Sequence, residues 1–172
     1  SYTEQVHIIT QSDINGFNRL FGGTLMSWID VLAAVVARRH SECNVTTVFV
    51  DTLEFRAPAR VNDTIMMTGK MTYAGKTSME VCVKTFVEEL SGERKLINVA
   101  YLILVALDAN DEPTEVPALL PVTESELEEW KAGAKRRELR KLRRSEKYCP
   151  PAPEGARQRR TEHRDGSAEG NN

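Results

Sequence analysis

A chain of 172 residues that is 41% apolar is long enough to bury one good hydrophobic core but not two. No stretch reaches the roughly 18 to 20 apolar residues needed to span a membrane, and residues 1–20 lack a signal-peptide pattern, so the cytoplasm is the expected compartment. Cys43, Cys82 and Cys149 form no C-x-x-C pair, their odd number argues against a disulfide framework, and His7, His40 and His163 are dispersed; no metal and no cofactor are expected.

In chain order, Val6 to Thr10 reads as a first strand, with His7 on a strand face. The segment from Asp13 to Phe21 is rich in Asp, Asn and Gly, residues that accept backbone conformations others avoid. Gly22-Gly23 then opens a strongly apolar helix to about His40, which sits where a cation favours the helix end. Strands follow at Val45 to Phe55, Asp63 to Tyr73, Ser78 to Glu88 and Lys95 to Leu107, with turns at Ala74-Gly75-Lys76 and Leu90-Ser91-Gly92-Glu93. One early helix and then mostly hairpin-linked strands suggest an α+β fold, an antiparallel sheet wrapped around a central helix. After Pro113, Pro117 and Pro121, Thr123 as N-cap and Glu126 three residues later form a capping box for a second helix.

The central helix carries the main chemical signal. From Thr24 to Ala37 its one charged residue is Asp30, whose helical neighbours Met26, Ala33, Ala34 and Ala37 are all apolar. A carboxylate there needs a partner, access to water or a raised pKa. The plain alternative is an Asp on a solvated stripe. Gly22-Gly23 leaves unpaired N–H groups at the positive end of the helix dipole, or is simply a tight turn into the helix. Together they offer an oxyanion site at the helix start and a carboxylate about 10 Å along it. Ser27 lies in no G-x-S-x-G elbow and has no positioned His and acid, which disfavours a serine triad.

The pattern Asp13-x-Asn15 through Phe21-Gly22-Gly23, Met26-Ser27 and Asp30, then Phe55-Arg56-Ala57-Pro58 and Val61-Asn62-Asp63, resembles the acyl-CoA thioesterases of the hotdog fold. The bacterial YciA-type and brain-type cytosolic acyl-CoA hydrolases are the nearest in pattern, over roughly residues 5 to 145. The resemblance implies that Asp30 is the general base or nucleophile, that Asn15 is contributed from the opposite subunit, and that the Gly23 N–H meets the thioester oxygen. It also implies a homodimer sharing its sites, assembled as a trimer of dimers. One departure is Asn18, where the family carries Gly; Asn tolerates the left-handed region, so the turn is expected to survive.

For the CoA phosphates and pantetheine, cations and backbone amides are wanted, and the candidates are Gly22, Arg56, Arg60, Lys76, Thr77 and Ser78. Each has a surface or turn role as its alternative. From Lys131 to Lys147 nine Lys or Arg face only Glu138 and Glu146, and residues 131–172 carry +7 against −9 in residues 1–130. That helix either complements the acidic body or forms a patch for polyanions; without interleaved aromatics, nucleic-acid binding is not expected. The expected organisation is a hotdog thioesterase domain over 1–122, a basic helix over 123–147 and a disordered tail over 148–172. Hydrolysis of acyl-CoA to fatty acid and CoA is the leading expectation. A non-catalytic acyl-CoA sensor acting through the basic segment is the alternative, and an enoyl-CoA hydratase is disfavoured for want of an Asp/His pair.

Overall fold

The computed structural model describes residues 2–145. Lys147, Cys149, His163 and the tail expected to be disordered lie outside the described residues. Residues 2–135 form one compact unit, and residues 136–145 belong to a second. The elements are β1 (Tyr2–Ile8), a short 3₁₀ turn (Gln11–Asp13), α1 (Gly22–Ser41), β2 (Asn44–Phe55), β3 (Thr64–Ala74), β4 (Ser78–Glu88), β5 (Arg94–Leu107) and α2 (Glu124–Ser145).

The five strands make one antiparallel sheet in the order β1-β3-β4-β5-β2. β1 and β2 are therefore its free edges. The two-residue period of the strands sends Ile65, Met67, Met71, Met79, Val81, Val83, Leu102 and Leu104 to the face that holds α1. From α1, Leu25, Ile29, Leu32, Ala33, Val36 and Ala37 answer them at helical spacing. The two layers meet most closely at Gly69 of β3, where an added Cβ would stand 2.9 Å from Val36 Cγ2 and 3.1 Å from Leu32 Cγ.

Helix α1 is not covered all round. Phe21, Met26 and Val31 stay exposed, and beside them on the edge strand β2 so do Val48, Phe49, Val50 and Phe55. The uniformly apolar helix read from the sequence thus has one face against the sheet and one without cover in the single chain. α1 ends at Glu42, whose φ of 56° places it in the left-handed region while its N–H donates to Arg38 O. The ring of His40 lies 2.9 Å from Pro117 O through Nε2, tying the helix end to the segment before α2.

His7 takes the inner face of β1. Its ring stacks on Trp28 of α1 with centroids 4.1 Å apart and planes within 3°. Burial pushes its pKa below the ordinary histidine value, against the opposing pull of Asp13. α2 starts as the sequence predicts: the Glu126 N–H donates to Thr123 Oγ1 at 3.2 Å, and Glu126 Oε2 accepts from the Thr123 and Val122 amides. Those amides hold the Glu126 carboxyl below the usual carboxylate range. The outer face of the sheet keeps one deeply buried acid, Glu80, whose Oε1 accepts from Thr72 Oγ1 at 2.8 Å.

Gly69→Ala tests the helix–sheet contact. Val36 is fully buried and cannot swing away, so we expect a loss of about 1 to 3 kcal/mol. Thermal unfolding should fall by about 4 to 10 °C; an unchanged Tm would show that the layers have slack at this point.

Candidate functional site

The loop before α1 is built around Asn15. Its Oδ1 accepts from the Phe17 N–H at 2.9 Å and from the Arg19 N–H at 3.3 Å. Backbone bonds from Asn15 N to Arg19 O and from Asn18 N to Asn15 O close the same turn. Asn18 has φ 56°, so the left-handed residue expected at this position is present. The acceptor end of the Asn15 amide is thereby committed to the backbone, and Nδ2, a donor, is the end left for a ligand. Asp13 anchors the start of the loop: its Oδ2 accepts from Thr10 Oγ1 and from the Thr10 amide, bonds that hold its carboxyl below the usual range.

Asn15 opens onto a cavity of about 310 Å³ lined by Arg19, Leu20, Leu25, Phe55, Arg56, Ala57, Pro58, Ala59 and Ile97 as well. Leu20 N donates to Ala59 O, which seats the loop on the segment after β2. Gly22 begins α1 beside this cavity, where an added Cβ would stand 3.5 Å from Phe55 Cζ. No side chain caps the helix at Phe21, so the first-turn amides, Gly23 among them, lack an intrahelical acceptor. A Cβ on Gly23 would come within 2.6 Å of Phe21 Cε1, so that ring lies directly over the glycine.

Asp30 is elsewhere. It is exposed in the single chain, on the uncovered side of α1, and its Oδ1 accepts from Thr47 Oγ1 at 2.6 Å. The desolvation expected from its apolar neighbours is not met within one chain, because Met26 on the same side has no cover either. Eight residues of helix, about 12 Å, separate Asp30 from Gly22. Thr47 was not legible as a site residue: it was one of many β-branched residues in a strand, and only the fold sets it against Asp30.

The cationic candidates divide between two ends of the sheet. Arg56 pairs with Glu54 at 2.9 Å, and the Arg60 amide donates to Asp63 Oδ2 in the turn through Asn62; both arginines are exposed at the Asn15 end. Lys76, Thr77 and Ser78 lie at the other end. Ser78 pairs with Val105, whereas Phe55 pairs with Asn98, seven residues earlier on β5 and about 23 Å away. Lys76 is exposed and pairs with Glu115 at 3.2 Å. A single chain therefore holds two half-sets: Asn15, Gly22, Gly23, Arg56 and Arg60 in one, and in the other Asp30 bonded to Thr47 of β2, toward the end of the sheet that carries Lys76–Ser78. Among the described residues no cluster of three or more His, Cys, Asp or Glu could hold a metal. A larger cavity of about 530 Å³ lies between Tyr2, Lys70, Met71 and the 119–122 segment, away from all of these. No described helix is long and apolar enough to cross a membrane.

Residues 17–91 match the family model described as the thioesterase superfamily. The chain is 39% identical over 132 residues to the Bacillus subtilis protein named "Uncharacterized acyl-CoA thioester hydrolase YkhA", covering 76% of this chain and 77% of that one. It is 30% identical over 156 residues to the cytosolic acyl coenzyme A thioester hydrolase of Rattus norvegicus, covering 89% of this chain and 41% of the rat protein, and so spans about two fifths of that relative. Its fold superposes with a TM-score of 0.80, at 32% identity, on the acyl-CoA hydrolase of Staphylococcus aureus in complex with butyryl coenzyme A, coenzyme A and coenzyme A disulfide (84% of this chain, 89% of that one). A hexameric acyl-CoA thioesterase in its apo form gives a TM-score of 0.80 at 34% identity, covering 84% and 93%. The Staphylococcus enzyme has also been solved as three single alanine variants, at an Asn, at an Asp 15 residues later and at a Thr 17 residues after that. Asn15, Asp30 and Thr47 are spaced by the same 15 and 17 residues.

Gly23→Ala probes the helix start. Alanine gains about 1 kcal/mol of helix propensity over glycine, offset by displacement of the half-exposed Phe21 ring. The expected outcome is a Tm within about 4 °C of the parent, with the Phe21 ring swung aside in the variant's crystal structure; an unmoved ring would contradict the packing described.

Proposed function

This chain belongs to the hotdog-fold thioesterase superfamily, among the acyl-CoA thioester hydrolases, and from that premise we propose that it hydrolyses acyl-CoA to a free fatty acid and CoA at a site assembled from two subunits. The observation that carries the reading is the division of the candidate residues into two half-sets, with the spacing of Asn15, Asp30 and Thr47 matching that of three positions altered in a CoA-binding relative.

A two-fold copy supplies what one chain lacks. β2 is a free edge, and Val48, Phe49 and Val50 at its middle are exposed apolar residues that water does not favour. Antiparallel pairing of β2 with β2 of a second copy covers them and continues the sheet across the two-fold axis. The same operation lays the Phe55 end of one strand beside the Asn44 end of the other. Asn15, Gly23, Arg56 and Arg60 of one subunit then face the half of the partner that bears its Asp30, Thr47 and hairpin of Lys76, Thr77 and Ser78. Covering the exposed side of α1 also withdraws Asp30 from bulk water. Dimers of this kind combine into a hexamer, by analogy with the hexameric neighbour.

In the assembled site the Gly23 N–H, with the positive helix end behind it, meets the thioester carbonyl oxygen and stabilises the charge that grows there. Asn15 Nδ2 donates a hydrogen bond to the water or the acyl oxygen. Asp30, positioned by Thr47 Oγ1, takes a proton from water; the hydroxyl oxygen bonds to the carbonyl carbon, the C–S bond breaks, and the thiolate of CoA leaves and is protonated. Direct attack by the Asp30 carboxylate, giving an anhydride that water opens, uses the same groups. Gly22, Arg56, Arg60, Lys76, Thr77 and Ser78 are assigned to the phosphates and pantetheine of CoA. The catalytic domain is placed in residues 1–122, with 123–147 an appended helix, and the compartment in the cytoplasm, as for the relative named cytosolic.

Asp30→Asn keeps the volume and the Thr47 contact but removes the base. We expect at least a hundredfold fall in kcat for CoA thiol release, with an unchanged oligomer by size-exclusion chromatography; near parental turnover would remove Asp30 from the mechanism.

Asn15 allows a finer test of role and of sharing. Asn15→Asp keeps an oxygen for the Phe17 and Arg19 amides but loses the Nδ2 donor, whereas Asn15→Ala loses both. Both variants should be inactive, with Asn15→Asp the more stable by about 1 kcal/mol, a typical hydrogen-bond contribution. Mixing Asn15→Asp with Asp30→Asn subunits should restore part of the activity, because each mixed dimer has one intact site. No recovery after verified subunit exchange would place both residues of each site in one chain.

A further inference from the structure

The segment of α2 from Arg136 to Ser145 takes no part in the chemistry above, yet its charge is the most concentrated in the chain. Six cations, Arg136, Arg137, Arg140, Lys141, Arg143 and Arg144, stand against one acid, Glu138. Glu138 accepts from Lys141 at 2.8 Å and lies 3.6 Å from Arg137 Nη1, and by formal charge residues 136–145 carry +5. Its two apolar side chains, Leu139 and Leu142, are three residues apart and so share a helix face. Both are exposed, at 45% and 59%, and Lys141, Arg143 and Arg144 beside them are exposed as well.

From this arrangement we infer that residues 136–145 form a docking surface for an anionic phospholipid bilayer. Charge complementarity selects the occupant class: cations next to a membrane carrying acidic lipids each gain from its negative surface potential, and that gain is lost with added salt. The leucine pair selects a bilayer among polyanions. Leu139 and Leu142 lose free energy in water and recover it at the boundary of headgroups and acyl chains, which a nucleic-acid backbone does not offer. No aromatic residue lies between Lys131 and Lys147 to stack on bases. Two leucines give too little apolar area for stable insertion, so the attachment is peripheral and reversible. Such docking holds the protein where long-chain acyl amphiphiles partition, although the inference itself stands on the helix and not on the hydrolase reading.

The experiment is co-sedimentation of the full chain with vesicles of phosphatidylcholine alone or with roughly a third phosphatidylserine, in low salt and in about 0.5 M NaCl. Binding to the acidic vesicles should be at least tenfold tighter than to the neutral ones and should disappear in high salt. Two variants divide the contributions, each checked for helix content and oligomeric state: Lys141→Glu with Arg143→Glu and Arg144→Glu, and Leu139→Ser with Leu142→Ser. The charge variant should lose binding altogether, and the serine variant should weaken it at least threefold. Thiol release from a soluble short-chain acyl-CoA should be unchanged in both, which separates failure of this inference from failure of the catalytic reading. Equal binding to neutral vesicles, or an acidic-vesicle affinity unmoved by the charge variant, would overturn the proposal. So would competition by single-stranded RNA at equal affinity with the serine variant behaving as the parent, an outcome that marks a general polyanion patch.

Discussion

Helix α1 has apolar side chains on two sides, and the sheet that wraps it can cover only one. The covered side is dense: Gly69 gives up its side chain so that Val36 and Leu32 can press onto β3. Burial of a large aliphatic residue in such a layer contributes about 1.5 to 3 kcal/mol, and four helix residues, Leu25, Ile29, Leu32 and Val36, do so together. The other side, with Phe21, Met26 and Val31, is left to whatever lies across the free edge of β2. The position of Asp30 on that side follows from the helical period once Leu25, Ile29, Leu32 and Val36 are fixed inward. Its chemistry therefore depends on the interface that covers it.

The helix start depends on the same constraint. Because the sheet fixes the direction of α1, its uncapped first turn points at the Asn15 loop and at the Phe55-to-Ala59 segment that follows β2. The loop packs Ile14 and Leu20 against the core, and its tip keeps its shape through an Asn side chain that serves as a turn acceptor and a left-handed Asn18. Rigidity of that kind matters for a proposed donor at Nδ2, since a misplacement on the order of 1 Å at a reacting centre costs activity steeply. Thr47 serves Asp30 similarly, holding one carboxylate oxygen so that the other keeps a defined direction.

α2 shows charge sorted along one helix. Its first turns carry Glu124, Glu126, Glu128 and Glu129, where the positive helix end favours acids, and its later turns carry the cations. Within the first unit Glu129 pairs with Lys70, and Trp130 packs on Tyr73 at 5.5 Å. Those contacts account for the start of the helix. They leave the basic end as a separate problem of surface chemistry.

Local features of this protein were legible in the residues alone. β-Branched and apolar enrichment between turn residues marked the strands, with β4 found at Ser78–Glu88 as expected; β1 runs Tyr2–Ile8 rather than Val6–Thr10, and Thr3 and Gln5 on its inner face carry no apolar signal. The capping box at Thr123 and Glu126 and the turn at Asn18 depend on neighbours two to four residues away, and both stand as read. Family pattern and residue chemistry together singled out Asn15, Gly23 and Asp30. Only the tertiary structure decided which side of α1 stays open, that Thr47 bonds Asp30, that His7 stacks on Trp28, and that Arg56 and Lys76 sit at opposite ends of the sheet. Such relations join residues far apart in the chain through strand order and β-bulges, and local periodicity carries no information about either.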